Sequence, residues 1–189
     1  MTRMLLAFPL VYLVFGCGAE KDAFEPFPAP LFDAYDLNPD SPHHKATLSM
    51  ADRKGEVTAL YFSSYTCPYC ITHYPALYSA FQDLAGEDLY PAKVELWIMG
   101  YPVSGSKVAD FCKGTDASCF VDSRLGPGSV YSEYSASLGQ IYLIDQKLVA
   151  CRRFDLVSCP MERAECKARL QGSIRSLVET GADQALPLP

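Results

Sequence analysis

Apolar and polar positions alternate along the chain with two different periods. The run Val57–Phe62 is apolar, rich in β-favouring residues and bounded by a turn glycine, so it predicts a buried strand. A stripe at helical spacing follows and predicts one face of a helix: Tyr74, Leu77, Tyr78, Phe81, Leu84 and Ala85. A second apolar run, Val94–Met99, predicts another buried strand, with Trp97 in the core. This strand–helix–strand order predicts a right-handed crossover and parallel pairing of the two strands.

The second half of the chain extends this pattern. Residues Ser106–Cys112 are predicted to form a short helix. The runs Ile141–Asp145 and Leu148–Phe154 predict two strands that are joined by a turn. The last helix is predicted to begin at Pro160, and its apolar face contains Ala164, Ala168, Leu170, Ile174, Leu177 and Val178.

Length and composition fit one domain with a sizeable core and short extensions. The 189 residues are 49% hydrophobic and 20% charged, with a formal net charge of −6. We therefore expect an α/β domain over residues 43–181 and a tail over residues 182–189. Because the chain is acidic and has no basic run, its composition argues against nucleic acid and anionic membrane surfaces as partners.

Residues 1–16 are predicted to be a signal peptide. Arg3 supplies its positive charge, and Met4–Phe15 form an apolar stretch that is too short to span a bilayer easily. The stretch leads to Cys17 in a sequence that resembles a bacterial lipobox, where the signal is cut before a cysteine that is then lipidated. An ordinary cleaved signal and an uncleaved N-terminal anchor are the alternatives.

Residues 17–42 are predicted to be a lipid anchor followed by a proline-rich tether. The segment contains prolines at positions 26, 28, 30, 39 and 42. Such a segment is extended and stiff, and it can hold a domain away from a membrane. The alternative is that its apolar side chains dock on the domain: Phe24, Phe27, Leu31, Phe32 and Tyr35. Gly18 stands where an aspartate would mark retention at the inner membrane, so the outer membrane of a bacterial envelope, facing the periplasm, is favoured.

The sequence Cys67-Pro68-Tyr69-Cys70 lies where the first predicted strand gives way to the helix. The thiolate is the reacting form of cysteine, and it is stabilised at a helix N-terminus by free N–H groups and the macrodipole. We therefore predict a redox pair in which Cys67 reacts with the substrate and Cys70 resolves the mixed disulfide. A structural disulfide or half of a zinc site is the alternative, but zinc needs about two more nearby ligands and no second Cys-x-x-Cys exists.

The remaining cysteines suggest an oxidising compartment. Cys112 and Cys119 flank a loop of turn-forming residues, and a disulfide that closes this loop is predicted, with free thiols or a second redox pair as alternatives. Cys151, Cys159 and Cys166 cannot all pair with one another, so the sequence leaves three possible pairings open. With Cys17 acylated, one thiol is then free or bonded to another chain.

These residues resemble the thioredoxin superfamily. Cys67-Pro68-Tyr69-Cys70 is similar to the glutaredoxin active site, and Pro75 matches the proline that kinks the first thioredoxin helix. The approach from Thr47 to Gly55 resembles membrane-anchored bacterial thioredoxin-like proteins. The stretches GEVTALYFSS and QIYLIDQKLV are similar to the selenoprotein P N-terminal domain in its cysteine-containing bacterial form. The likeness spans residues 36–178.

The resemblance implies a thioredoxin-like fold, with a central mixed sheet and flanking helices. It also implies thiol–disulfide exchange on protein cysteines, a redox partner protein, and no need for an organic cofactor or a metal. Three positions depart from the family. Gly139 replaces the cis-proline that helps to hold substrate backbone, Tyr61 replaces the buried aspartate that assists proton transfer, and Thr66 replaces the tryptophan before the first cysteine. The general base is therefore unassigned, and Glu56 or a water molecule is a candidate.

Two further functions compete with thiol–disulfide exchange on proteins. The selenoprotein P likeness suggests a peroxide reductase that would use the same two cysteines. A lipoprotein that binds a soft metal such as copper through Cys67 and Cys70, with His73 one turn beyond, is the non-enzymatic alternative. Against a metal site, His73 lies off the apolar stripe and is expected to be solvated, as are the adjacent His43 and His44.

Overall fold

A computed structural model of the chain describes residues 24–101, 105–124 and 126–182. The described strands are β1 (Phe27–Pro28), β2 (Asp33–Tyr35), β3 (Thr47–Ser49), β4 (Val57–Ser63), β5 (Val94–Gly100), β6 (Ser118–Val121), β7 (Gln140–Ile144) and β8 (Val149–Asp155). The described α-helices are α1 (Pro68–Ala85), α2 (Gly105–Cys112), α3 (Val130–Glu133) and α4 (Ala164–Ala182), and a 3-10 helix covers Met50–Arg53.

The described strands form a six-stranded mixed sheet in the order β1-β8-β7-β4-β5-β6, with β2 and β3 in a separate pair. β4 lies parallel to β5, with Val57 opposite Val94, and β5 lies parallel to β6. β7 runs antiparallel to both β4 and β8. The predicted parallel pair, the predicted hairpin and the predicted mixed sheet with flanking helices are thus confirmed.

The sheet has a different core on each of its two faces, because successive residues of β4 point to opposite sides. Val57, Ala59 and Tyr61 pack in a cluster that also includes apolar residues of α1 and α4. Leu60 and Phe62 pack in the other cluster, which contains Trp97 as predicted. All five of these β4 side chains are fully buried, so this strand is the centre of the fold.

The structure corrects the predicted tether over residues 24–42, which lie on the domain. β1 extends the sheet beside β8, where Phe27 pairs with Ala150. The ring of Phe24 lies edge-on to Tyr142 at a centroid distance of 5.8 Å. Prolines are tolerated in β1 because it is an edge strand, whose outward side needs no N–H donor. The aromatic side chains that alternate with these prolines supply the docking surface.

The same segment continues into a buried turn. Asp36 and Asn38 are both fully buried, and the Leu37 N–H donates to the Cys119 carbonyl oxygen over 2.8 Å. Residues 24–42 therefore pack on the domain and supply part of its buried interior. The predicted signal peptide 1–16, Cys17 and residues 183–189 of the predicted tail lie outside the described residues.

α4 begins at Ala164, four residues after the start that Pro160 predicts. Residues 160–163 instead form a turn in which the Arg163 N–H donates to the Pro160 carbonyl oxygen. None of the described helices combines the length and the hydropathy needed to cross a bilayer.

Candidate active site

The end of β4 presents the Cys67–Cys70 pair at the start of α1. After Ser63 the chain turns through residues 64–66, and the Cys67 N–H donates to the Ser64 carbonyl oxygen over 3.1 Å. The Ser64 and Thr66 hydroxyls are 2.9 Å apart, and the Thr66 N–H also bonds the Ser64 hydroxyl. Thr66, where the family has tryptophan, thus stabilises a polar turn. Cys67 is the N-cap of α1, and Pro68 follows at the first helical position, where its missing N–H costs nothing.

The two cysteines differ in access. The structure joins them in a disulfide with a Cα–Cα distance of 5.2 Å. The Cys67 sulfur also accepts the Cys70 N–H over 3.0 Å, which directs a backbone donor of the helix N-terminus at the sulfur. Cys67 is partly exposed, whereas Cys70 is fully buried. An incoming sulfur can therefore reach Cys67 but not Cys70.

The His73 side chain lies against a neighbouring loop, which corrects the expectation that it is solvated. Its side chain is 19% exposed, and Nδ1 lies 2.6 Å from Glu162 Oε1. The imidazole ring lies 4.1 Å from the Tyr69 ring, centroid to centroid. Burial, with smaller contributions from the Asp155 and Glu162 carboxylates, raises the pKa of Tyr69, so this phenol stays neutral beside the cysteines. Sequence reasoning missed Glu162 because it lies 89 positions from His73.

Gly139 lies opposite the motif, as the resemblance implies. Its N–H donates to the Phe62 carbonyl oxygen over 2.8 Å, and its own carbonyl accepts the Leu156 N–H over 2.9 Å. A Cβ at this position would lie 3.9 Å from Tyr69 Cδ1 and 3.7 Å from Val157 Cγ2. The φ angle of Gly139 is +88°, a conformation that glycine adopts without steric cost. Gly139 therefore stands at the family's proline position with a positive φ angle that proline cannot adopt.

Restoring the family's proline by Gly139→Pro is expected to destabilise the fold by about 3 kcal/mol or more, because proline removes a used N–H and fixes φ near −65°. Gly139→Ala should cost less, about 1–2 kcal/mol, since the left-handed conformation is its main penalty. Urea unfolding measures both values. The matched control is Gly172→Ala at an exposed position inside α4, where Cβ has open space and alanine should stabilise by about 0.5–1 kcal/mol. A Gly139→Pro variant as stable as the natural chain would contradict this account.

Tyr61 lies in the core cluster that contains Cys70, as a replacement for the family's buried aspartate requires. It is fully buried, and its hydroxyl finds no hydrogen-bond partner within the described parts of the chain. Its ring stacks on Tyr74 at a centroid distance of 6.4 Å. Burial raises the pKa of Tyr61 far above its usual value, so the phenol remains neutral and cannot serve as the base.

Glu56 is wrong as a candidate base, because it precedes β4 whereas Cys67 follows it. The seven residues of β4 separate the two ends of the strand by about 20 Å. Glu56 Oε2 instead lies 3.0 Å from Arg53 Nη1. Water, the second candidate acceptor, stays a prediction.

Four of the other described cysteines form two further disulfides. The structure joins Cys112, at the end of α2, to Cys119 in β6. It also joins Cys159 to Cys166, one of the three pairings that the sequence leaves open. Cys151 lies in β8 and is also disulfide-bonded, so it is not the free thiol that the sequence left possible, and its sulfur is 3.5 Å from Asp145 Oδ2.

The described residues contain no group of three or more histidines, cysteines, aspartates or glutamates placed to hold a metal ion. His73 Nδ1 faces Glu162. His43 Nε2 lies 3.5 Å from Glu95 Oε1, so this histidine also contacts the domain.

No protein-family model matches the chain, and no curated protein matches it. Solved structures nevertheless share its architecture. A thiol:disulfide interchange protein of the thioredoxin family from Chlorobium tepidum is 15% identical, with a TM-score of 0.58, and aligns over 83% of this chain and 99% of its own. A candidate protein disulfide isomerase from Bacteroides thetaiotaomicron is 18% identical, with a TM-score of 0.61, over 82% and 90% of the two chains.

A third similar structure is a secreted disulfide oxidoreductase from Mycobacterium tuberculosis, described as homologous to E. coli DsbE. It is 14% identical, with a TM-score of 0.53, over 77% of this chain and 96% of its own. At these identities the likeness establishes the fold. The protein has the thioredoxin-like fold, and the predicted fold class is confirmed. The nearer likeness to the selenoprotein P N-terminal domain stays a prediction.

Proposed function

We propose that the protein is a thiol–disulfide oxidoreductase that acts on protein cysteines through Cys67 and Cys70. The observation that carries the proposal is the unequal access of the two sulfurs at the N-terminus of α1. Cys67 is partly exposed and accepts a helix N–H, and Cys70 is fully buried one turn further along. That arrangement suits a pair in which one sulfur meets the client and the other resolves the mixed disulfide.

The exchange balances within the pair and the client. In the reducing direction, the Cys67 thiolate attacks a client disulfide, an S–S bond forms to Cys67, and the departing client sulfur leaves as a thiolate that takes up a proton. Cys70 then loses its proton and attacks the Cys67 sulfur, which closes the Cys67–Cys70 disulfide and releases the second client thiolate. Two electrons pass from the cysteine pair to the client. A redox partner protein must then supply two electrons to reduce the Cys67–Cys70 disulfide again. The oxidising direction is the reverse sequence.

A protein client is favoured by the apolar edge beside the pair. Leu138, the residue before Gly139, is 38% exposed, and Val157 is 62% exposed. Val157 Cγ2 and the Tyr69 ring both lie within 4 Å of the Cβ position of Gly139, so the edge is continuous with the motif. Exposed apolar side chains at such a place are typical of protein-binding surfaces.

We further propose that the protein acts in the bacterial cell envelope, anchored to the membrane through a lipid on Cys17 and facing the periplasm. The disulfides Cys112–Cys119 and Cys159–Cys166 support an oxidising compartment. The signal-like residues 1–16 support export, and Gly18 favours the outer membrane. No feature of the acidic chain suggests a nucleic-acid partner.

The reduction potential of the Cys67/Cys70 pair, measured in the fragment that lacks residues 1–22, tests this function. We expect a reversible two-electron couple that alkylation and mass spectrometry assign to these two sulfurs. A value near −270 mV, the approximate thioredoxin figure, would indicate a reductase, and a value near about −120 mV a disulfide donor. The Cys67→Ser/Cys70→Ser variant is the matched control and should lack the couple. Absence of the couple in the natural pair would overturn the proposal.

The same preparation separates the two alternatives. Turnover of hydrogen peroxide without turnover of protein disulfides would replace the proposed client with a peroxide. Copper that co-purifies under reducing conditions, together with the absence of a redox couple, would favour the metal-binding lipoprotein.

A further inference from the structure

A groove of about 600 Å³ lies between α1 and α2 and begins at the redox motif. Its lining includes Tyr65, two positions before Cys67, and Ile71, the residue after Cys70. Its volume falls within the range of about 300–1,000 Å³ that is usual for binding sites. The groove is separate from the edge at Gly139, because Ile71 and Tyr69 are two residues apart on α1 and so point about 200° apart around the helix.

The floor of the groove is aromatic. Tyr74 and Phe111 stack at a centroid distance of 4.8 Å and an interplanar angle of 29°, so that α1 and α2 both contribute to the surface. The Tyr74 and Thr115 hydroxyls form a hydrogen bond of 2.9 Å. The hydroxyl of Tyr74 therefore already has a partner inside the protein, and its ring is left as apolar surface. Ile71 is 49% exposed at the end next to the motif. The floor therefore suits a large apolar side chain, whose burial strengthens binding.

The rim of the groove carries charge opposite to that of the protein as a whole. Lys107 and Lys113 line it, and neither forms an ion pair with the described residues. Asp110, between them in the chain, also lines the groove, so the three charged residues of the lining carry a net charge of +1. The nearby Asp116 carboxylate already accepts the hydroxyl hydrogens of Tyr78 and Tyr90. The full chain carries −6. A local positive rim on an acidic protein favours an occupant with a carboxylate beside its apolar group.

We propose that this groove binds client polypeptide through a large apolar side chain and a neighbouring carboxylate, located a few residues from the cysteine that reacts with Cys67. The inference rests on the proposed function, since a client sulfur at Cys67 places the adjoining chain next to Tyr65 and Ile71. One extended residue spans about 3.3 Å, so a few residues reach from the motif into the groove. The groove selects clients at a place separate from the apolar edge beside Gly139.

Binding can be measured without redox chemistry, with fluorescein-labelled peptides in which serine replaces the reacting cysteine. Fluorescence anisotropy compares a peptide with Phe-Asp three residues after that serine with an otherwise identical Ser-Lys peptide. We expect the Phe-Asp peptide to bind at least about tenfold more tightly, as burial of one aromatic side chain predicts. Equal affinity for the two peptides would overturn the inference, whatever the redox result.

Variants locate the binding surface. Lys107→Glu/Lys113→Glu should weaken binding of the Phe-Asp peptide about tenfold, since it turns two attractions into repulsions at the rim. Lys54→Glu/Lys93→Glu is the matched control, because it changes the net charge equally at exposed positions beside the opposite ends of β4 and β5. An equal loss of affinity in both double variants would show a general charge effect and overturn the proposed site.

Kinetics distinguish failure of the groove from failure of the proposed function. The ratio of kcat/KM for the disulfide form of the Phe-Asp peptide to kcat/KM for hydroxyethyl disulfide should fall about tenfold in Lys107→Glu/Lys113→Glu and stay unchanged in the control. An unchanged ratio in the rim variant would remove the groove and leave thiol exchange standing. Selective peptide binding without exchange on either disulfide would remove the proposed function and retain the groove as a peptide site.

Discussion

Replacing Cys67 by serine is expected to abolish disulfide reduction in an insulin assay, by about a thousandfold or more. Cys67 is the sulfur of the pair that an incoming client can reach, since Cys70 is fully buried. A serine hydroxyl is not ionised at neutral pH and does not form a disulfide, so no mixed intermediate can arise. The assay is run on the fragment that lacks residues 1–22, with dithiothreitol as the reductant.

Replacing Cys70 by serine should give a different defect. The first attack by Cys67 is retained, but the mixed disulfide with the client has no resolving thiol and should accumulate. Non-reducing electrophoresis and mass spectrometry of the trapped complex measure this outcome. The Cys112→Ser/Cys119→Ser variant is the control, because that pair lies between α2 and β6 and should affect stability rather than exchange. Loss of exchange in that folded control, or retained exchange in Cys67→Ser, would contradict the assignment.

The centre of the fold and of the candidate site was predictable because its signals are local. β4 is a continuous apolar run, and α1 carries its apolar stripe immediately after the motif. The departure at Gly139 was also visible, since a hairpin pattern follows it directly. Strand, helix and motif lie within about thirty residues, so each signal supports the others.

The contacts that the sequence did not predict join distant segments. Glu162 meets His73 across 89 positions, and no periodic pattern links a turn after β8 to the first turns of α1. The segment 24–42 was misassigned because its prolines are typical of a tether. Phe24 and Phe27 contact β7 and β8, and these contacts are visible only in the folded structure. Proline excludes a central strand but permits an edge strand, and the sequence alone does not distinguish an edge strand from a tether.

The groove between α1 and α2 was likewise hidden from the sequence. Tyr74 belongs to the predicted apolar stripe, and the pattern assigned it to the core. Phe111 and Lys107 lie on a separate short helix, α2. No spacing rule in the sequence predicts the angle between α2 and α1. Side chains from two helices make this surface, so only the packed structure brings them together.

Substituting Asn38 by alanine is expected to destabilise the protein by about 2–4 kcal/mol, since unpaired buried polar groups cost about 1–3 kcal/mol each. The fully buried Asn38 amide donates to the Thr115 and Ala117 carbonyl oxygens over 2.8 and 2.7 Å. Alanine leaves both carbonyls without these donors inside the protein. The effect is large for a residue in a segment that looks like a linker, and it would be close to zero if that segment were a tether.

Urea unfolding of the oxidised fragment without residues 1–22 measures this difference. Leu31→Ser is the matched control in the same segment, because Leu31 is 59% exposed and its loss should change stability by no more than about 0.5 kcal/mol. Asn38→Asp keeps the shape but removes the donor and buries a charge, so it should be at least as destabilising at neutral pH. Its defect should shrink as the pH falls and the carboxyl group, once protonated, regains one donor. An Asn38→Ala variant as stable as Leu31→Ser would show that residues 24–42 do not stabilise the domain, as expected of a tether.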